Sequence, residues 1–410
     1  MKVVLAPVGT RGDVQPLLAL GVALSQAGHG VTFCAAESYA PLVREAGLSY
    51  ARGGREMETL IRERGESLGN PFAGARASRM VLDEQFELVR PACQGADVLI
   101  GTSVLLLGPS IAAGLRIPFY FTGYIPNCLP TGELPPPFGF PLWRRPWLNR
   151  LLWRLMGSAA NLMTRRHINR LRAQLSLPAV ADVYTHLQDS QVLFALDPAV
   201  GAPPADIDNA ALQTGFWFLE QTAPLPAEVE AFLADGPPPI YIGFGSMASD
   251  DPAARTAALV DAVSRSGRRA LISSGPSGLG AGGLPSSCLV VGSLNHQRLF
   301  PRVAAIVHHG GAGTTMTAAR AGIPQVLVPH MFDQPYWAQR MHALGVAPPA
   351  VPKRFSPEVL AAAIEQACTD PALTRAATTL ADKIRACDGV GAAVRFLEQR
   401  HGAGLKHRGG

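Results

Sequence analysis

The chain has six cysteines, Cys34, Cys93, Cys128, Cys288, Cys368 and Cys387, and no two stand at C-x-x-C spacing. That excludes a zinc site or a disulfide framework as the organising device, and thiols scattered in this way fit a reducing cytoplasm. A secretory leader is missing as well: the apolar start VVLAPVG is too short and runs into Thr10, Arg11 and Asp13. Glycine and proline are abundant, at 42 and 35 residues, but follow no period, which excludes collagen-like and repeat architectures. The first strand is not followed by the dinucleotide fingerprint G-x-G-x-x-G. GTRGD at 9–13 lacks its spacing, which argues against a nicotinamide oxidoreductase. Long apolar runs are scarce. The run 98–115 is free of charge over the minimum spanning length of about 18 residues. Gly101, Thr102, Ser103, Gly108, Pro109 and Ser110 interrupt it, so it reads as strand, turn and buried helix.

What the chain does have is apolar bulk. With 48% hydrophobic and 16% charged residues over 410 positions, it should fold as a globular protein of two domains. KVVLAPV, HGVTFCAA, DVLIGTS and IPFYFTG read as strands, with a helix PLLALGVALSQAG between the first two. The same alternation restarts with PIYIGFGSM, RRALISSG, CLVVGSL, AAIVHHGG and QVLVPH. Strands alternating with helices predict an α/β fold: two Rossmann-like domains with doubly wound parallel sheets, facing across a cleft. The expected division is an N-terminal domain over 1–200, a proline-rich linker over 201–238, a second domain over 239–390, and a final helix and tail over 391–410. Ligands of such sheets sit beyond the carboxyl ends of the strands.

HHGGAGTT at 308–315 lies at one of those ends. Its glycines permit a tight turn and a close backbone approach. A helix starting near Thr314 would offer free N–H groups and a positive dipole end to an anion such as a diphosphate, to which a histidine adds a donor. The residues alone allow equally a plain strand-to-helix turn with a capping threonine. After the next strand, Asp333 and Gln334 pair an acid with an amide, which suits sugar hydroxyls, although a helix cap is the other reading. Asp13, in GTRGD after the first strand, is either the cap of a helix beginning near Val14 or a carboxylate placed to act as a base.

HHGGAGTTMTAARAGIPQVLVPHMFDQPYWAQR, GTRGDVQPLLALGVALSQAGHGVTF, YIGFGSM and LFPRVAAIVHHGG together resemble the family 1 glycosyltransferases, the bacterial glycopeptide and polyketide type and the sterol glucosyltransferases above all. The resemblance covers nearly the whole chain. It implies the two-domain GT-B fold, with the acceptor on the N-terminal domain, the donor on the C-terminal domain, and the last helices crossing back. It implies that His309, rather than His308, contacts the donor diphosphate, with Gly311, Gly313, Thr314 and Ser246, and that Thr10 and Arg11 border the same site. It further implies that Ser293 and Leu294 lie by the base, that Asp333 and Gln334 hold the sugar, and that Asp13 is the catalytic base of an inverting transfer.

The co-substrate would be a UDP- or dTDP-sugar, with no other cofactor. The tryptophan that plant members stack on uracil is missing, which leaves uridine or thymidine open. No metal is expected: Asp250 and Asp251 are adjacent rather than spaced D-x-D, and Pro252 follows, the pattern of a helix cap. By position in the resembling fold, 62–80 and 122–143 are loops over the acceptor. The second contains Tyr124, Phe138, Phe140 and Trp143 and suits a hydrophobic aglycone such as a polyketide, sterol, macrolide or phenolic. Same-fold alternatives are a nucleotide-sugar epimerase, a GlcNAc transferase and a catalytically dead sugar-nucleotide binder. A monomer or homodimer in the cytoplasm with no nucleic-acid partner is expected.

One segment stands apart in charge. Residues 134–181 hold no acid and eight arginines, at 144, 145, 150, 154, 165, 166, 170 and 172. From Leu148 the pattern is amphipathic, with Trp143, Trp147 and Trp153 nearby. The favoured reading is a surface helix whose leucines cover the core, because one apolar stripe cannot serve a core and a membrane equally. The other is weak, salt-sensitive contact with anionic membranes.

Overall fold

Strand β1 (Lys2–Ala6) carries four buried residues in a row, Val3 to Ala6. An unbroken apolar run of this kind marks a parallel strand covered on both faces. It lies inside a seven-stranded sheet with β2 (Gly30–Ala35), β3 (Ser49–Arg52), β4 (Val98–Gly101), β5 (Phe119–Gly123), β6 (Gln191–Phe194) and β7 (Ala210–Gln213). The strand order is β3-β2-β1-β4-β5-β6-β7, and every pairing is parallel. A second sheet contains β8 (Ile240–Gly243), β9 (Ala270–Ser273), β10 (Cys288–Val291), β11 (Ile306–His308) and β12 (Gln325–Leu327), in the order β10-β9-β8-β11-β12, again all parallel. Strand order reverses between β1 and β4 in the first sheet and between β8 and β11 in the second. These reversals leave crevices at the carboxyl ends of the strands.

This computed structural model describes residues 1–56, 71–102, 104–138, 140, 142, 145–208, 210–245, 251–275, 278–280 and 284–402. The chain divides into one unit of 1–136, 143–219 and 388–410, and another of 137–142 and 220–387. The stretch 201–238 is more than the linker its prolines suggested. Its β7 completes the first sheet, and its helix Ala227–Ala234 sets Val229 into the second unit's core. Trp217, 1% exposed, gives the reason: an indole of that size is driven into the first core, where its Nε1–H donates to the Thr214 hydroxyl at 2.9 Å.

The final helix, Gly389–His401, starts two residues before the expected boundary, with Asp388 accepting from Gly391 N at 2.9 Å as its cap. It packs on the first helix, Arg11–Gln26, sharing the cluster of Leu17, Leu24 and Leu397. Residues 98–115 form β4 and the helix Gly108–Leu115, and among the described residues no helix is long and apolar enough to cross a membrane. Of the two stretches expected as acceptor loops, 62–70 lies outside the described residues, and 71–80 belongs to the helix Pro71–Glu84.

Candidate functional site

In the first unit, β1 ends at the reversal point and the chain turns at once into a helix. That helix begins at Arg11, earlier than the sequence suggested, and its N-cap is Thr10 rather than Asp13. Asp13 sits at the third helical position, where its Oδ2 accepts from Thr10 N at 2.9 Å and lies 3.4 Å from the Thr10 hydroxyl. This is the reciprocal half of a capping box, and a carboxylate in the first turn also complements the helix dipole. A Cβ on Gly9 would stand 2.1 Å from that same oxygen, so only glycine leaves room for the carboxylate. Capping and catalysis therefore stop being alternatives: the cap is what holds the acid in one rotamer.

Two further contacts fix the turn. Val8 N donates to Thr102 Oγ1 at 3.0 Å and that hydroxyl donates back to Val8 O at 2.8 Å, joining the loops after β1 and β4. Tyr124 donates its hydroxyl to the Asp13 carbonyl at 3.2 Å and meets Trp217 edge to face at 6.4 Å. Tyr124 is 8% exposed, so it supports Asp13 from beneath rather than lining an acceptor surface as expected. A phenol able to bond a backbone carbonyl is better placed inside than out. Thr10 is half-buried and Arg11 exposed at the helix start.

In the second unit the two histidines separate cleanly. His308 ends β11 with no exposure; its Nδ1 accepts from Gly310 N at 3.1 Å, so Nε2 carries the proton and donates to Gln325 Oε1 at 2.9 Å. Burial pushes its pKa down to about 4, keeping it neutral. His309 is the residue the turn presents. A Cβ on Gly245, where φ is +58°, would come 3.0 Å from its Cε1, and one on Gly311 would come 2.6 Å from its Nε2. The ring is wedged between two positions that must both be glycine. Burial first, then His308 and His330, push His309 to about 3, so it too is neutral and gives a hydrogen bond rather than a charge. The Gly243 backbone is the neighbour that favours protonation, yet the buried Nδ1 reaches hydrogen-bond geometry with no described group.

The helix Ala312–Ala321 starts two residues before Thr314, with Gly311 as its cap. Its first backbone bond runs from Thr315 N to Gly311 O at 3.0 Å, so the N–H groups from Gly311 to Thr314 precede the intrahelical ladder. Among the described residues, nothing lies within 4 Å of a Cβ placed on Gly313. Orphan donors, a dipole end and a neutral imidazole are together the chemistry that can receive an anion. Ser246 lies outside the described residues. Asp251 caps the helix Pro252–Arg265 through Ala254 N at 2.9 Å, as its sequence suggested.

After β12, Asp333 and Gln334 turn out to be unequal. Gln334, 3% exposed, accepts from His330 N at 2.7 Å and Met331 N at 3.1 Å through Oε1, so its oxygen holds the loop rather than a ligand. Asp333 is only partly covered, but its carboxyl is desolvated and its pKa is pushed up to about 6, against the lowering effect of the Trp337 Nε1–H, which donates to Oδ2 at 2.9 Å. The residue before it, Phe332, holds φ at +54°, a left-handed backbone that costs a non-glycine residue about 1–2 kcal/mol. Phe138 and Phe140, expected over an acceptor in the first domain, group with the second unit instead. Phe138 meets Phe332 edge to face at 6.1 Å, which covers part of two exposed rings.

Ser293 is exposed, and Leu294 packs on the core beside Leu299. The loop after β10 is held by Asn295, which sequence reasoning missed. It caps the helix His296–Leu299 and donates to Gln221 O at 3.0 Å and Ala223 O at 2.9 Å. The N-cap preference for asparagine was the available signal. His330 was missed as well: its Nδ1–H donates to Val328 O at 2.7 Å, and Nε2 accepts from Arg255, whose guanidinium covers Phe244 at 4.6 Å.

Comparison with known proteins follows the same two units. Residues 3–126 match the Glycosyltransferase family 28 N-terminal domain, and residues 271–389 match the Erythromycin biosynthesis protein CIII-like C-terminal domain. The glycosyltransferase GtfC of Amycolatopsis orientalis is 35% identical over 97% of each chain. The vancomycin aglycone glucosyltransferase of the same organism is 36% identical over 97% of each. A sterol 3-beta-glucosyltransferase of Arabidopsis thaliana is 32% identical over 96% of this chain and 65% of its own. Among solved structures, the kitacinnamycin glycosyltransferase superposes with a TM-score of 0.73 at 18% identity over 98% of both chains. The glycosyltransferase VinC, solved in complex with dTDP, does so at 0.68 and 19% identity over 97% of this chain and 100% of its own.

Proposed function

We propose that this chain, which belongs to the GT-B glycosyltransferases of the glycopeptide and sterol glucosyltransferase type, moves a hexose such as glucose from a nucleoside-diphosphate donor to a hydroxyl of a hydrophobic aglycone, with inversion and without a metal. The observation that carries the reading is the His309 ring wedged between Gly245 and Gly311 at the open N-terminus of a helix. On this reading the second unit holds the donor. Its helix N-terminus and the His309 N–H take the diphosphate, and the Asp333 carboxylate accepts from sugar hydroxyls. Asp13 of the first unit takes the acceptor's hydroxyl proton as that oxygen bonds to the anomeric carbon. The bond from that carbon to the diphosphate oxygen breaks, and its electron pair leaves with the nucleotide. Preorganised donors at the leaving diphosphate lower the barrier because they need no reorientation as its charge grows.

The test is incubation with UDP-glucose and with dTDP-glucose against a panel of polyketide, sterol, macrolide and phenolic aglycones, reading free nucleotide, product mass and anomeric configuration. Acceptor-dependent nucleotide release that gives a β-glucoside and persists in chelator is expected. A retained anomer, a chelator-sensitive rate, or epimerised donor with no glycoside would overturn the reading.

The acid at 333 makes the donor step pH-dependent. Protonation removes an acceptor, so the donor KM should climb as pH falls through about 6. Stability has the opposite sign. An acid whose pKa is raised from about 3.8 to about 6 contributes stability that is fully present below 3.8 and lost as pH rises through 6. Asp333→Asn should therefore raise the Tm of the ligand-free protein at pH 7.5 while slowing transfer of hydroxylated sugars. A lowered Tm together with unaltered glucose transfer would remove Asp333 from the sugar site.

A further inference from the structure

The helix Pro146–Ala160 runs through a π turn, Asn161–Arg165, into Arg166–Gln174. The sequence suggested that its leucines cover the core. They do not. The side turned inward carries Asn149, Trp153, Gly157, Thr164, Ile168 and Leu171. Asn149 Nδ2 donates to Gly132 O at 2.9 Å and Trp153 Nε1 to Leu134 O at 3.0 Å, so hydrogen bonds as well as packing seat the helix. The side turned outward carries Trp147 at 65% exposure, Leu151 at 42%, Leu155 at 59% and Leu162 at 87%. Their spacing of four, four and seven puts all of them on one helix face. The objection that a single stripe cannot serve two partners disappears, because core and solvent are served by different sides.

Arginines border this face. Arg154, Arg165, Arg166 and Arg170 are exposed, and Arg79 joins Arg165, Arg166 and Arg170 around a hollow of about 640 Å³ beside Leu162. Arg172 is spent inside, on Ser110 and Pro178 O, and Arg150 lies 3.8 Å from Asp206. The acids nearby are both engaged: Asp83 is bonded to His167 at 2.7 Å, and Asp182 accepts from Asn161 Nδ2 and, at 2.8 Å, from Thr185 N. Water-facing leucines with an interfacial tryptophan and a border of arginines match the chemistry of an anionic bilayer surface, in which apolar side chains enter the acyl boundary and guanidinium groups pair with phosphates. A second copy of the chain does not fit: the same face on two copies would set arginines against arginines, with no acid between 134 and 181 to meet them.

We propose that this outward face of 147–170 docks the protein on anionic phospholipid membranes. The test is co-sedimentation of the full chain with vesicles of phosphatidylcholine alone or mixed with phosphatidylglycerol, at low and high salt. Binding at least tenfold tighter to the anionic vesicles, lost at high salt, is expected. A variant with Arg154, Arg165, Arg166 and Arg170 changed to Gln, and separately L155S/L162S, should each lose most of that binding, with Tm and transfer to a soluble acceptor within twofold of the parent. No sedimentation of the parent, equal binding to neutral vesicles, or unchanged binding by the arginine variant overturns the proposal. So does a concentration-dependent dimer that L155S/L162S abolishes, since the face would then belong to a second copy.

Discussion

Asp13→Asn is expected to lower the transfer rate about a thousandfold, the scale of losing a positioned general base, while nucleoside diphosphate affinity stays within a few fold. Asparagine is the informative replacement because its oxygen can still accept from Thr10 N, the 2.9 Å bond that now fixes the side chain. The helix start, the room left by Gly9 and the Tyr124 bond to the Asp13 carbonyl all survive the change. What is lost is the ability to take a proton. Asp13→Ala separates the two roles further: it should match Asn in rate but also lose about 1 kcal/mol of stability through the missing half of the capping box. Turnover on a cognate acceptor, titration calorimetry with the nucleotide and thermal melts read the three effects separately. An Asn variant that keeps most of its turnover removes Asp13 from the chemistry and leaves it as the Thr10 partner in the capping box alone.

The paired replacement of His308 and His309 should split binding from stability. His309→Ala removes one donor from the leaving diphosphate and is expected to cut kcat/KM about a hundredfold, the scale of deleting a single preorganised donor, with nucleotide affinity weakened alongside. It should cost the fold little, because among the described residues the buried Nδ1 has no hydrogen bond of good geometry to lose. His308→Ala strands the Gln325 oxygen and the Gly310 N–H inside the protein, both of which it now satisfies. Each orphaned group costs about 1–3 kcal/mol, so the melting temperature should drop by several degrees while the folded fraction binds nucleotide nearly as well. Calorimetric affinity and thermal melts on both variants decide the matter. The reverse pattern, with His308 governing affinity and His309 stability, would mean that the roles of the two imidazoles are exchanged.

The strands with long apolar runs were legible because a parallel strand buried on both faces must be apolar at every position. VLIG and IYIG are buried throughout, and KVVLA is buried from Val3 on. β3, reading SYAR, was not legible, since an edge strand has few buried residues to announce it. β7 hid among prolines whose turn signals were read as a linker. HHGGAGTT was legible as a glycine turn from a strand into a helix because its glycines and the helix after it act through the local backbone.

The roles of single side chains were decided elsewhere. Asp13 as both cap and candidate base, Tyr124 as a support and Gln334 as a loop clasp all depend on partners brought in by tertiary folding or by the exact start of a helix. The outward leucines make the same point about whole faces. Amphipathic periodicity determined that the helix 146–160 has an apolar stripe, but the inner face was set by where Gly132 and Leu134 offered carbonyls to Asn149 and Trp153. Periodicity reports which residues share a side. Only packing, with the buried polar groups it must satisfy, chooses which side turns inward.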